Sequence, residues 1–194
     1  MKIDNRPIIS NTNMHEQIKK QILNILLEEK KKEYLCHIQY VVKIALELAK
    51  ECDVNMNLIE IACLLHDIGR GKELTNEHHA EAGKRIANDI LKESNFSKKE
   101  KKIILACILN HNSSNVPKSI EEQIIRTADG GSKIEYHEAF ILMCKKTTYE
   151  ERLAWTLKYL YKGLASISID HYRKKIEKKY KELENIYNDI NNRI

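Results

Sequence analysis

Residues Ile61 to Gly71 constrain this chain more than any other stretch. Ile61, Ala62, Leu64 and Leu65 read as one buried helix, and the adjacent pair His66 and Asp67 follows directly, so an imidazole and a carboxylate emerge from a core. A buried charge is costly unless something pairs with it. A divalent cation satisfies both groups at once, and it requires further ligands. Residues of the right type stand at His37 upstream and at His79, His111 and Asp129 downstream, each on a separate expected helix or at its end. Six nitrogen and oxygen donors suit two metal ions that share one carboxylate.

The rest of the chain reads as helices that carry those residues. Two Pro and six Gly in 194 residues leave few breakers, and no stretch alternates convincingly as a strand. The length suits one core rather than two. We therefore expect an all-α, single-domain bundle of about six to eight helices. A loose arm over residues 1–13 precedes a helix from about His15 to Glu33, on which Ile18, Ile22, Ile25 and Leu26 recur at helical spacing. From about Tyr34 to Glu51, His37 shares its stripe with Val41, Ile44 and Leu48 at offsets of four, seven and eleven, so the imidazole faces inward.

Asn57 and Glu60 have the form of a capping box opening the helix that delivers His66 and Asp67, and Gly69 and Gly71 end it. Asn76 stands where a cap is needed for a helix to about Glu93, with His79, Gly83, Ile86 and Ile90 on one face. Its neighbour His78 lies roughly 100° round the helix and faces elsewhere. Gly83 permits close backbone approach. Ser97 and Glu100 make a second capping box, leading to a stripe of Ile104, Cys107, Ile108 and His111 that stops at Asn110 to Asn115.

Pro117, Ser119 and Glu122 begin a long helix with Ile125, Ala128 and Asp129 on its inner face. Gly130 and Gly131 follow at a cost of about 1 kcal/mol each in a helix, which predicts close packing or a local break. Thr148 with Glu151 caps a helix through Trp155, Leu157 and Leu160 to about Gly163. Beyond it Ile176, Tyr180, Leu183, Tyr187 and Ile190 recur at steps of four and three, so the terminal helix either lies across its own domain or makes a homodimer contact. The organisation expected is residues 1–33 as arm and first helix, 34–146 as metal-binding core, and 147–194 as C-terminal helices.

Five scattered cysteines with no CxxC pair read as small buried hydrophobes rather than as a zinc or redox site. A net charge of +5 with Lys and Glu interleaved describes a solvated helix surface, and nucleic acid is not an expected partner. No apolar run reaches the ~18–20 residues of a membrane span, nor does the N-terminus read as a signal peptide; a cytoplasmic location is expected.

In order, His37, the His66–Asp67 pair and Asp129 resemble the HD-domain superfamily of metal-dependent phosphohydrolases, whose signature is a His, an adjacent His-Asp and a distant Asp. The string His66, Asp67, Ile68, Gly69 is similar to the form common in bacterial members, and the likeness runs from about Tyr34 to Lys146. His79 and His111 match the two histidines that two-metal members add. By that resemblance His37, His66, Asp67 and Asp129 hold one ion, His79 and His111 hold the other, and Asp67 bridges them. Two such cations hold a bridging water as hydroxide, present it to phosphorus and neutralise the phosphoryl oxygens. Mixed imidazole and carboxylate ligation points to Fe, Mn, Co, Ni or Zn. Arg70 stands where related enzymes place a cation for a phosphate oxygen, and Lys133, one turn beyond Asp129, is a second candidate for the substrate.

The resemblance implies a phosphohydrolase or phosphodiesterase acting on a small phosphate ester, expected to be a nucleotide. Residues 110–114 lack the Gly-Tyr-Pro motif of the cyclic-di-GMP branch, and Gly130 to Lys133 lack the motif of the diadenosine tetraphosphate branch. A diiron oxygenase with the same ligands and a metal-stabilised nucleotide-binding regulatory module are the alternatives.

Overall fold

The computed structural model describes residues 11–29, 32–112 and 116–192. Among them are nine helices and no strand: α1 Asn11–Glu29, α2 Lys32–Ala49, α3 Met56–Leu65, α4 His79–Leu91, α5 Lys98–Asn110, α6 Ile120–Glu135, α7 His137–Met143, α8 Tyr149–Ser166 and α9 Asp170–Asn192. The expected arm lies outside the described residues as far as residue 10, and α1 begins at Asn11. The count exceeds the expected six to eight because the chain leaves helical geometry at Tyr136 (φ −129°, ψ 44°), so that α7 separates from α6. No side chain caps α7, and the sequence carries no cap signal for it.

α3 is the innermost element. Seven of its ten residues, from Leu58 through Leu65, are buried, because α2, α5, α1 and α6 pack around it. α2 turns Ile38, Val41, Ile44, Ala45 and Leu48 to the same core. Two caps differ from expectation. Asn55 rather than Asn57 caps α3, accepting from the amides of Asn57 and Leu58, while Glu60 turns away to Lys19 at 2.6 Å. His78 rather than Asn76 caps α4, since Asn76 takes a left-handed φ of 65° in the preceding turn. Ser97, Ser119 and Thr148 each accept from the amide three residues on, at their helix starts.

Gly130 and Gly131 remain within α6, and both serve close packing. A Cβ on Gly130 would lie 2.6 Å from the Gly163 carbonyl of α8, and one on Gly131 would strike the ring and hydroxyl of Tyr172 from α9. α8 and α9 therefore seat directly on the backbone that carries Asp129. The link between them is tied to α6 by the Thr127 hydroxyl, which accepts from the amides of Ser168 and Ile169. Tyr172, Ile176, Tyr180 and Leu183 of α9 are buried, so its stripe packs on the protein's own helices, while Ile186 and Ile190 are exposed. Among the described residues no helix is long and apolar enough to cross a membrane.

Candidate metal centre

The six candidate ligands come from five helices and converge on one buried point. His37 is carried by α2, His66 and Asp67 by the end of α3, His79 by the first turn of α4, His111 by the end of α5 and Asp129 by α6. His37, His66, Asp67, His111 and Asp129 are each at most 3% exposed, and the His79 side chain is 11% exposed. One ligand atom from each of His37, His66 and Asp129 lies within 4.8 Å of the others, and Asp67, His79 and His111 form a second such group.

The ends of α3 and α5 use the same device. His66 and His111 are C-cap residues, and each donates Nδ1–H to the carbonyl three residues back: His66 to Cys63 at 2.6 Å and His111 to Ile108 at 2.8 Å. These carbonyls lie in the last helical turn, where intrahelical donors run out. The bond fixes the tautomer, leaving Nε2 with its lone pair turned inward. His37 is held likewise. Ser132 Oγ donates to the Asp129 carbonyl at 2.8 Å, so it faces His37 Nδ1, 3.3 Å away, as an acceptor.

The result is a cage in which ring nitrogens and carboxylate oxygens face one another. His37 Nε2 and His66 Nε2 meet at 3.2 Å, with Asp129 Oδ1 3.4 Å from the former. His111 Nε2 and Asp67 Oδ1 face each other at 3.3 Å, and neither has a hydrogen-bond partner. Lone pairs packed this way repel unless a proton or a metal cation lies among them. The two oxygens of Asp67 divide between the groups. Oδ1 faces His79 at 3.7 Å and His111, whereas Oδ2 is 3.7 Å from His66 and 3.9 Å from His37. That division is the geometry a bridging carboxylate needs.

Burial is the largest influence on the titration of His66, His79, Asp67 and Asp129. It pushes His66 down to about 4 against the pull of Asp67, and with Arg70 it takes His79 to about 4. Burial raises the carboxyls of Asp67 and Asp129, but His66, His111 and Arg70 around the first, and Lys133 and His37 around the second, hold both well below the usual carboxylate range. Neutral imidazole beside ionised carboxylate is the protonation state that ligates a metal.

Gly69 explains how α4 reaches the centre. Tight turns follow His66, with Arg70 N–H donating to the Asp67 carbonyl and Lys72 N–H to that of Gly69. A Cβ on Gly69 would collide with the His79 carbonyl and the Gly83 amide, so this contact admits only glycine. His79 is thereby laid against Asp67. His78 instead points outward, and its ring accepts from the Ala80 amide at 3.3 Å. Asn112 Nδ2 donates to His79 Nε2 at 2.9 Å.

Arg70 and Lys133, the two expected substrate cations, are both ion-paired within the site. Arg70 Nε lies 2.6 Å from Asp67 Oδ2 and Lys133 Nζ 2.7 Å from Asp129 Oδ2. A small pocket of about 30 Å³ opens from the ligands toward Tyr34, Phe140, Met143 and Tyr159. Beside it lies a cleft of about 530 Å³, and Arg70, Lys133 and Tyr159 line both. Its further walls include Arg126, Lys162 and Ser166. Sequence reasoning did not find Tyr159, Arg126, Lys162 or Ser132. Only for Ser132, one turn beyond Asp129 on the ligand-bearing helix, does the sequence hold a usable signal.

Comparison with known proteins agrees with this geometry. Over 85 residues the chain is 34% identical to ribonuclease Y of Borrelia garinii subsp. bavariensis, a stretch that is 42% of this chain and 15% of that protein, so the chain spans only a small part of this relative. The fold is similar to that of Bacillus subtilis YpgQ, solved alone (TM-score 0.69, 16% identity, 96% of this chain and 98% of that one) and in complex with ADP. It is also similar to a structure from an uncultured Thermotogales bacterium described as a predicted HD superfamily hydrolase, with TM-score 0.56 and 26% identity over 81% of this chain and 98% of that one. The model of the HD domain matches residues 34–131, half of the chain, and all six converging residues fall inside that span. The chain belongs to the HD domain family.

Proposed function

We propose that this protein is a metal-dependent phosphohydrolase or phosphodiesterase acting on a small phosphorylated substrate, a nucleotide by preference. The observation that carries the reading is the acceptor cage, with Asp67 offering one oxygen to each trio. His37, His66 and Asp129 would hold one divalent ion and His79 and His111 the other, with Asp67 between them. Bound there, such ions supply Lewis acidity and an activated water at neutral pH. The chain's own part is positional. The Cys63 and Ile108 carbonyls and Ser132 keep the imidazoles turned inward. Arg70 holds Asp67 Oδ2, the oxygen that faces His37 and His66, and Lys133 holds the far oxygen of Asp129, so neither carboxylate swings away, and both cations stand at the mouth where a phosphoryl oxygen would arrive.

Two relatives lend support. Ribonuclease Y is named for cleaving phosphodiesters, and YpgQ, alike in fold, has been crystallised with ADP. An oxygenase acting on an organic phosphate would use the same six donors and the same basic cleft, so redox-active iron and oxygen consumption are what separate the two. The test is metal content by mass spectrometry on protein purified without added metal, together with turnover on a panel of phosphate esters, for the native chain and Asp67→Ala. We expect close to two equivalents and hydrolysis in the native protein, with both lost in the variant. Full turnover in Asp67→Ala would remove the basis of the proposal, and iron with oxygen uptake would transfer it to the oxygenase.

A further inference from the structure

The three donors proposed for the second ion are not equally free to receive it. Asp67 Oδ1 and His111 Nε2 face each other at 3.3 Å, both are shut off from solvent, and neither has a hydrogen-bond partner. His79 is different. Its Nε2, 3.7 Å from Asp67 Oδ1, already accepts a hydrogen bond from Asn112 Nδ2 at 2.9 Å. In the other trio His37 Nε2 and His66 Nε2 also meet, at 3.2 Å, but both are ring nitrogens that one ion would take together. An amide nitrogen carries two N–H donors and has no lone pair to offer a cation. Asn112 Nδ2 therefore cannot follow His79 onto the ion, and an imidazole nitrogen bound to a metal keeps no lone pair for the amide. One of the two must leave. Asn112 follows His111, the C-cap of α5, so its contact ties the end of α5 to the first turn of α4, where His79 stands. Both side chains line the open cleft, and His79 is the most accessible of the six donors, so the arriving ion and the departing amide have a path to solvent there.

We infer that Asn112 is a latch on the second ion site: its amide competes with the ion for His79 Nε2, so that this ion binds after the other and exchanges more readily. The inference rests on the two-ion reading above for which atoms the ions take. The donor sets act in the same direction, since His37, His66 and Asp129 with Asp67 serve one ion, whereas Asp67, His79 and His111 alone serve the other. Giving up one hydrogen bond of ordinary net strength weakens the second ion by about two- to tenfold. The concentration of free ion, and not of substrate alone, then sets the fraction of chains with a complete centre. An asparagine that merely orients the imidazole has the opposite sign. In that case the amide holds the ring toward Asp67, and removing it loosens the ion rather than tightening it.

The experiment is zinc titration of the full-length, metal-free protein against a chromophoric chelator, for the native chain, Asn112→Ala and Asn112→Leu, with phosphoester turnover measured beside it. Both substitutions remove the amide, and leucine keeps its bulk, so the pair separates the hydrogen bond from the opening of space. Two binding steps are expected in the native protein. Both variants are expected to tighten the second step by about two- to tenfold and to leave the first unchanged. In nitrogen-15 spectra of the native protein the Asn112 side-chain amide signals are expected to hold through the first equivalent of zinc and to move with the second. The spectra need no substitution, so they test the latch even if a variant misfolds. Unchanged or weaker binding at the second step in both variants would overturn it, as would tightening in Asn112→Ala alone or amide signals that moved with the first equivalent. A single zinc per native chain would remove the second site and the latch together. Two ions with the expected pattern, but no turnover of any ester, would leave the latch standing and remove the hydrolase reading.

Discussion

Gly69→Ala is expected to be the most damaging single-methyl change near the site. The added Cβ would lie 2.8 Å from Gly83 Cα, some 0.6 Å inside the 3.4 Å edge of ordinary contact, and closer still to the Gly83 amide and the His79 carbonyl. All three are backbone atoms, so no side chain can yield and the start of α4 must move. Overpacking of this kind costs about 1–3 kcal/mol, and rigid surroundings place it near the upper end. For a chain of this length each kcal/mol lowers the melting temperature by roughly 2–4 °C, so a fall of about 6–12 °C is expected in chelator-treated protein followed by circular dichroism. The displaced α4 carries His79, so the ion proposed for Asp67, His79 and His111 should be lost before the other. Gly71→Ala is the control. Its φ of +82° strains an alanine by roughly 1–2 kcal/mol, but nothing lies within 4 Å, so it should lower stability less and leave metal content intact. A Gly69→Ala protein that melted with the native one and kept both ions would refute the close-contact argument.

Three smaller perturbations probe separate parts of the site. His78→Ala removes the α4 cap and should cost about 1 kcal/mol in urea unfolding without changing metal stoichiometry; loss of an ion would mean that His78, not His79, is the ligand. Ser132→Ala releases His37 Nδ1 and should weaken metal affinity by about tenfold in competition with a chromophoric chelator, and unchanged affinity would show that His37 is held by packing alone. In metal-free protein, His66 titrates near 4 when folded against an ordinary 6.5, so between those values the unfolded chain binds more protons and stability must fall as pH drops from 6.5 toward 4. Asp67 and Asp129, held low when folded, add a further loss below their ordinary 3.8; a melting temperature that stayed flat or rose on acidification to pH 4.5 would contradict this.

The convergence of the six candidate ligands was legible in sequence because each sits on or at the end of an apolar stripe. His37 in register with Val41, Ile44 and Leu48, and His111 with Ile104, Cys107 and Ile108, could be placed by periodicity alone. The caps were legible where a serine or threonine occupied the site, as at Ser97, Ser119 and Thr148. They were misplaced where asparagines compete: Asn55 and Asn57 are both plausible by type, and only the path of the preceding turn selects Asn55. At α4 a histidine ring does the work of the usual oxygen acceptor, a role no propensity suggests. The cleft was invisible for a different reason. Arg126 and Lys162 are 36 residues apart and come to line one cleft through a helix crossing, which depends on Gly130 and Gly163 together and on no local pattern.

α8 supplies none of the six ligands, yet it provides Tyr159, Lys162, Ala165 and Ser166 to the cleft wall. On the proposed reading the reactive centre lies between His37 and Asp129, whereas four of the ten residues that line the cleft come from α8, outside that span. Exposed positions of α8 can change without disturbing the ion cage, provided that Gly163 keeps the crossing close. A protein built this way can acquire a new substrate by drift in one helix, and an engineer wishing to redirect it should randomise Tyr159, Lys162, Ala165 and Ser166 while leaving the first 135 residues untouched.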